Sequence, residues 1–221
     1  PIGRLFDMDV LNREGLPLSR TAFAASRRRC LVCGQDAKLC ARSSAHSPEV
    51  LQSCIASLLD GYFRDCAADR FASCACRALL YEVSVTPKPG LVDRSNSGSH
   101  SDMDFFSFLD STSALTPWLR EMFRTGWNHA HKEAAEMFSA LRLIGLQAED
   151  AMLRATNGVN THKGAIFSLG LLCCAAGFLL AFFLEKYPNP SVCLFVGLIA
   201  GMLPSLFREA GEKGRTKGSY I

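Results

Sequence analysis

Residues 164–184 read GAIFSLGLLCCAAGFLLAFFL, 21 positions without a formal charge. As a helix rising ~1.5 Å per residue, such a run spans the ~30 Å hydrocarbon core of a bilayer. A second apolar run covers Ser191 to Phe207, where Gly197 and Gly201 have the G-x-x-x-G spacing that lets helices approach closely. Membrane insertion is nevertheless the disfavoured reading. Thr161, His162 and Lys163 lead directly into the first run and would set an imidazole and an ammonium at the membrane edge, and Pro204 interrupts the second. The two runs therefore read as a buried helix pair inside an all-α, multi-helical soluble bundle, with Cys173 and Cys174 as reduced core thiols.

The rest of the composition agrees with this. The chain has 221 residues, enough for one or two domains, and 48% of them are apolar, which argues against wholesale disorder. Twenty-four basic against 21 acidic residues give a net charge of +3, with the excess concentrated between Arg20 and Arg42 and near the C-terminus. That balance suits a phosphate-rich ligand and sets no demand for nucleic acid. No basic-then-apolar leader opens the chain, so it reads as cytoplasmic, while Pro1 in place of methionine leaves room for an upstream segment.

An apolar segment from Leu5 to Val10 reads as a short strand closed by the turn-forming Asn12-Arg13-Glu14-Gly15. A cysteine-rich loop runs to His46. Ser47-Pro48-Glu49 caps a helix beginning near Val50, whose buried face carries Leu51, Ile55, Leu58, Leu59 and Tyr62. A second helix covers Asp69 to Val83 and ends before Pro87 and Pro89. Asp102–Phe108 opens the next, Thr116-Pro117 another through Phe123, and Glu133–Arg154 forms a long amphipathic helix that Asn157-Gly158 stops. The composition shift at His46–Glu49 marks a boundary between a short segment, residues 1–49, and a helical part, residues 50–221.

Three motifs carry chemistry. The first, Cys30-x2-Cys33-x6-Cys40-x5-His46, contains the three thiols and imidazole of a tetrahedral zinc site. Its spacing is irregular and no second Cys-x-x-Cys supports it, so free thiols beside an unrelated loop histidine are the favoured reading. Arg27, Arg28, Arg29 and Arg42 surround the group, as a phosphate clamp or as a solvated basic face.

The second motif is residues 82–102, EVSVTPKPGLVDRSNSGSHSD. Lys88 and Arg94 can neutralise phosphates, Gly90 and Gly98 permit close backbone approach, and Asp93 and Asp102 can hold a divalent ion through oxygen. The competing account is a solvated loop in which Asp102 only caps a helix. His100 lies among these groups without an assigned partner. The third motif is residues 155–164, ATNGVNTHKG, where Asn157, Asn160, Thr161, His162 and Lys163 gather at a helix start whose free amides favour an anion. Glu149, on the preceding helix, is placed to face it. The G-x-x-x-x-G-K-[ST] phosphate loop is absent, so any use of ATP needs another geometry.

From about Cys74 onward the chain resembles the triphosphoribosyl-dephospho-coenzyme A synthase family, on EVSVTPKPGLVDRSNSGSHSDMD, LRLIGLQAEDAM and ATNGVNTHKGAIFSLGLLCCAAG. Residues 1–49, with GRLFDMDVLNREGLPLSR and RRRCLVCGQDAKLCARSSAHS, resemble the C-terminal part of the citrate lyase phosphoribosyl-dephospho-coenzyme A transferase, a different α/β or α+β domain. Together these imply a bifunctional citrate lyase maturation protein, truncated at both ends. The first resemblance implies a cytoplasmic helical enzyme that joins the triphosphoribosyl part of ATP to a ribose hydroxyl of 3'-dephospho-coenzyme A and releases adenine. The second implies delivery of the finished group to the citrate lyase acyl-carrier protein.

On that basis Asp93, Asp102 and Glu149 are expected to organise magnesium, and Lys88, Arg94 and Lys163 to hold the triphosphate. Gly90, Asn96, His100, Asn160 and Thr161 complete the ligand-binding set. His162, Asp93 or Glu149 is expected to activate the attacking hydroxyl. Two other readings stand beside this one: a noncatalytic remnant that binds coenzyme A or the carrier protein, and a helical membrane-associated protein whose loops bind anions. Exposed apolar faces on an incomplete bundle also point to self-association as a homo-oligomer.

Overall fold

A computed structural model describes residues 2–6 and 9–186. The described structure is all-α, with helices α1 (Ala37–Arg42), α2 (Pro48–Ser84), α3 (Phe105–Asn128), α4 (Ala134–Ala155) and α5 (Lys163–Lys186). The expected helix over Ser191–Phe207, with Gly197, Gly201 and Pro204, lies outside the described residues. By contact density the chain divides into two compact units, residues 1–66 and 67–221, and α2 contributes to both.

The first unit contains no named strand among its described residues. Ile2–Leu5 and Arg20–Phe23 are single 3₁₀ turns, and pairing is limited to isolated bridges between Leu11 and Pro17 and between Arg29 and Asp36. The strand expected at Leu5–Val10 is therefore not found in the described part of that segment. The Asn12–Gly15 turn does form: Asn12 Oδ1 accepts from the amides of Glu14 and Leu16, and Gly15 takes φ 79°.

Two helices expected between Val50 and Val83 are one, α2, 37 residues long. Between Tyr62 and Asp69 the sequence contains neither proline nor glycine, so nothing interrupts the backbone ladder there. Its buried positions, Ala68, Ala72, Ala75, Leu79 and Val83, recur every three to four residues and draw a single stripe. The small residues of the stripe let Phe71 reach Phe123 of α3, the two rings stacking at 5.0 Å.

The break expected at Thr116-Pro117 is likewise absent, because Pro117 sits inside a continuous α3. An interior proline costs about 3 kcal/mol. Four α3 side chains, Leu115, Leu119, Met122 and Phe123, are each 2% exposed or less. At about 2 kcal/mol apiece their burial outweighs the proline. Pro117 and Ser113, whose carbonyl loses its donor, both face solvent, where water serves instead.

The α4 expectation holds, and α5 starts where expected but is buried on one face only. Asn157 (φ 53°) and Gly158 (φ 89°) leave α4 in left-handed conformations, and the Gly158 amide donates back to the Leu153 carbonyl at 2.7 Å. α5 is long and apolar enough to cross a membrane, with a mean hydropathy of 2.4 over its most apolar window. Here it packs against α3 through Ile166, Gly170, Cys173, Cys174, Gly177 and Ala181, all buried. Burial pushes the Cys173 and Cys174 thiols up to about 12 and about 11, which keeps them protonated and inert. The opposite face leaves Phe167, Leu172, Leu179 and Phe183 exposed.

Candidate functional site

The loop between α2 and α3 is organised around one carboxylate. Asp93 is 1% exposed and accepts from Thr86 Oγ1 (2.8 Å) and the Lys88 amide (2.9 Å) on Oδ2. Its Oδ1 accepts from the amides of Ser95 (2.7 Å) and Asn96 (3.0 Å) and from Ser95 Oγ (3.1 Å). The Lys88 and Ser95 amides, in that order, hold the carboxyl well below the usual range. The Thr86–Pro87 bond is cis. Gly98, at φ 59°, packs so closely on Gly90 and Leu91 that a Cβ would lie 2.6 Å from their backbone.

Asp93→Ala is therefore expected to strand three inward amides and open the loop, seen as new protease cleavage between residues 88 and 101 with the helical content retained. A loop that stayed protected would show that its other turns suffice. Because the folded carboxyl is depressed, its contribution to stability is fully present above the ordinary carboxylate pKa. It is lost as pH falls from about 4 toward the lower folded value.

The second loop enters α5 through His162, which is 5% exposed. The ring lies between Phe108, edge-on at 4.9 Å, and Ser111, whose Oγ is 2.7 Å from Nδ1. The His162 amide rests on the Met152 sulfur at 3.2 Å. Burial pushes the imidazole down to about 4, against a smaller opposing pull from the Glu82 carboxylate. Two buried polar atoms here lack a partner, His162 Nε2 and Thr161 Oγ1. Buried polar groups are nearly always satisfied, so these two atoms, at the start of α5, keep hydrogen-bonding capacity that their own protein neighbours do not use.

Glu82 ties the two loops together. It pairs with Lys88 Nζ at 2.8 Å, and its charge is felt by His162. Lys163 Nζ pairs with Glu149 Oε1 at 2.6 Å, so Glu149 does face the second loop. Arg94 is exposed without a described partner. Asn96 and Asn160 are occupied locally, Asn96 Oδ1 accepting from the Gly98 amide and Asn160 Oδ1 from that of Lys163. His100 Nδ1 stands 4.0 Å from Asp102. The cap of α3 is Asp104, in a capping box with Ser107, and not Asp102.

The expected magnesium trio is not assembled. Among the described residues, Asp93, Asp102 and Glu149 do not place their oxygens within 4.8 Å of one another. Asp93 is filled by its own loop, and Glu149 is paired with Lys163. By contrast, the ligand atoms of Cys30, Cys33, Cys40 and His46 all lie within 4.8 Å of one another, despite their irregular spacing. Arg27, Arg28 and Arg29 line an open cavity of about 390 Å³ in the same unit.

Ser111, Phe108 and Glu82 were not among the residues expected at the site. The signal for the first two is their register with Leu115 on the buried face of α3, at i, i+3 and i+7.

Residues 68–194 match the family of the ATP:dephospho-CoA triphosphoribosyl transferases. The chain belongs to that family. Both loops, with His162, Lys163 and Glu149, fall inside the matched region. Residues 1–62 match the family of the apo-citrate lyase phosphoribosyl-dephospho-CoA transferases. Protein CitXG of Haemophilus influenzae is 45% identical over 181 residues, 82% of this chain and 38% of that protein. Protein CitXG of Leuconostoc mesenteroides is 42% identical over 184 residues, 80% of this chain and 39% of that protein. The 2-(5''-triphosphoribosyl)-3'-dephosphocoenzyme-A synthase of Pectobacterium atrosepticum is 56% identical over 147 residues, 65% of this chain and 48% of that enzyme. The chain thus spans between about two fifths and about half the length of these relatives. No solved structure matches it.

Proposed function

We propose that residues 67–186 carry the synthase reaction, transferring the triphosphoribosyl group of ATP to a ribose hydroxyl of 3'-dephospho-coenzyme A. The observation that carries this reading is the unpartnered Nε2 of His162, buried at the start of α5 beside Lys163 and within the field of Glu82. In the transfer, the bond from C1 of the ATP ribose to adenine breaks and adenine leaves with the electron pair. The acceptor oxygen bonds to C1, and its proton passes to His162 Nε2. Ser111 Oγ, 2.7 Å from Nδ1, orients the ring; in the proposed tautomer Nδ1–H donates to the serine oxygen and the lone pair is left on Nε2. A triphosphate bound beside it adds negative charge and raises the depressed imidazole toward a useful basicity.

Lys88, Lys163 and Arg94 are proposed to hold the triphosphate, the two lysines exchanging their carboxylate partners for phosphate. Gly90, Asn96, His100, Asn160 and Thr161 are assigned to shaping and lining the site. Magnesium enters with the triphosphate, where it neutralises charge, and Asp102 and Glu149 are the carboxylates left to touch it. Lys163→Ala is expected to raise the ATP concentration for half-maximal turnover by about tenfold, the worth of one charged hydrogen bond. An unchanged ATP dependence would remove Lys163 from the phosphate site.

Residues 1–66 are assigned to the transferase-type segment, part of an α/β or α+β domain that addresses the citrate lyase acyl-carrier protein. The setting proposed is cytoplasmic and soluble, with neither nucleic acid nor membrane as partner and with homo-oligomer contacts through the exposed apolar faces. The experiment is adenine release from ATP and magnesium, with and without 3'-dephospho-coenzyme A. Acceptor-dependent release supports the reading. A folded chain that binds 3'-dephospho-coenzyme A without releasing adenine would instead be a noncatalytic binding remnant.

A further inference from the structure

The first unit buries almost nothing. Of its described residues only Cys30 is buried, while Phe6, Val10, Leu11, Leu16, Phe23 and Leu39 are exposed. The local hydrogen bonds bring four ligand-type side chains to a single point. At Cys30-Leu31-Val32-Cys33-Gly34 the chain turns back on itself, with the Gly34 amide donating to the Cys30 carbonyl, Gly34 at φ 73°, and the Cys30 amide donating to Gln35 at 2.6 Å.

Asp36 then caps α1 through the amides of Lys38 and Leu39, which sets Cys40 one turn further on. Ser44, at φ 48°, and the bond from the Ala45 amide to the Cys40 carbonyl reverse the chain after α1 and return His46 to the same point. Cys33 Sγ lies 3.4 Å from Cys40 Sγ and 3.3 Å from His46 Nε2.

We propose that Cys30, Cys33, Cys40 and His46 form a closed, structural zinc site that holds the first unit together. A tetrahedral zinc ion with Zn–S about 2.3 Å and Zn–N about 2.0 Å requires S···S near 3.8 Å and S···N near 3.5 Å. The observed S···N of 3.3 Å and S···S of 3.4 Å fall a little short of those values and every pair lies inside 4.8 Å, so small outward side-chain movements complete the tetrahedron. Four protein ligands leave no open position, which makes the site structural and not catalytic.

Two further observations agree. The Cys33 and Val32 amides point at the Cys30 sulfur, the arrangement of backbone donors that a metal-bound thiolate accepts from. Three thiolates around a divalent ion leave one net negative charge, and Arg27, Arg28, Arg29 and Arg42 supply the compensating positive surround.

The test uses the whole chain purified without chelator. Elemental analysis is expected to find about one zinc per chain after dialysis, and X-ray absorption three sulfur ligands and one nitrogen. Cobalt exchanged into the site is expected to give tetrahedral d–d bands with thiolate-to-metal charge transfer. Cys33→Ser and His46→Ala are expected to lose the metal, while Cys54→Ser and Cys66→Ser keep it. His46→Cys is expected to retain zinc with four sulfur ligands, which keeps the proposal testable if the first two variants fail to fold. Four reduced thiols with no bound zinc, a Cys33–Cys40 disulfide in freshly isolated protein, or a cobalt spectrum without thiolate charge transfer would overturn it.

Discussion

Alanine in place of Gly126 is expected to lower the thermal midpoint by about 10 °C, although it adds one methyl group to a helix. The reason is the crossing of α3 and α5. A Cβ at Gly126 would lie 1.8 Å from the Cys174 carbonyl oxygen, and one at Gly177 would lie 2.0 Å from that of Phe123. In both cases the obstacle is backbone, which cannot rotate aside, so the helices must separate and loosen the packing of Met122, Phe123 and Cys174 between them. Overpacking of this kind costs about 3 kcal/mol or more, and for a chain of this size each kcal/mol moves the midpoint by about 2–4 °C.

Gly145, inside α4, provides the control, because a Cβ there meets nothing within 4 Å. Gly145→Ala is expected to stabilise the protein by about 0.5–1 kcal/mol through helix propensity alone. The two substitutions therefore have opposite signs in one calorimetric experiment. Equal small effects would mean that α3 and α5 do not cross through these glycines.

His162→Gln is expected to reduce acceptor-dependent adenine release by about 10²-fold or more, the usual range for removal of a positioned acid–base group. Glutamine keeps an amide close to Ser111, so the helical circular dichroism spectrum should be unchanged. A variant that kept its turnover would take His162 out of the chemistry and leave it as a buried contact between α3 and α5.

The same residue has a stability signature. Its folded pKa, about 4, lies below the ordinary histidine value, so an unfolded chain takes up a proton near 6.5 while the folded one remains neutral. The stability from keeping the imidazole neutral is thus fully present above about 6.5 and is lost as pH falls toward 4. The loss amounts to about 3 kcal/mol across that window. Wild-type protein is expected to show this fall in chemical denaturation, and His162→Gln to be flat over the same range. Asp93 acts only at lower pH, below about 4, which separates the two contributions.

Much of the helical part is legible in the sequence because its signals are local. Ser47-Pro48 starts α2, Pro87 and Pro89 end it, and Asn157-Gly158 ends α4 by occupying the left-handed conformations that the last turn requires. Where local signals conflict with burial, burial prevails. Pro117 marks a helix end by propensity, yet α3 passes through it because the side chains on its buried face contribute more than the proline costs. The close-packed glycines within the described helices are Gly126, Gly170 and Gly177, which have no distinguishing spacing until the partner helix is known.

The site divides in the same way. Both loops, with Lys88, Asp93, His162 and Lys163, are identifiable from residue type and clustering, since proline, glycine, charge and imidazole leave a mark in one dimension. Their division of labour is not. Asp93 has the residue type of a metal ligand, but five hydrogen bonds from its own loop make it the organiser of that loop. Ser111 and Glu82 look like ordinary helix residues and acquire their meaning from His162, 51 and 80 positions away. The cysteines show the reverse, since their irregular spacing gives no hint that the turn at Gly34 and the cap at Asp36 bring their ligand atoms and His46 within 4.8 Å of one another. Sequence alone determined the helical class, the two polar loops and the family resemblance, because these rest on local propensity and on residue identity. Which groups are spent on structure and which are left to bind was decided by tertiary structure, because hydrogen-bond saturation and desolvation depend on neighbours distant in the chain.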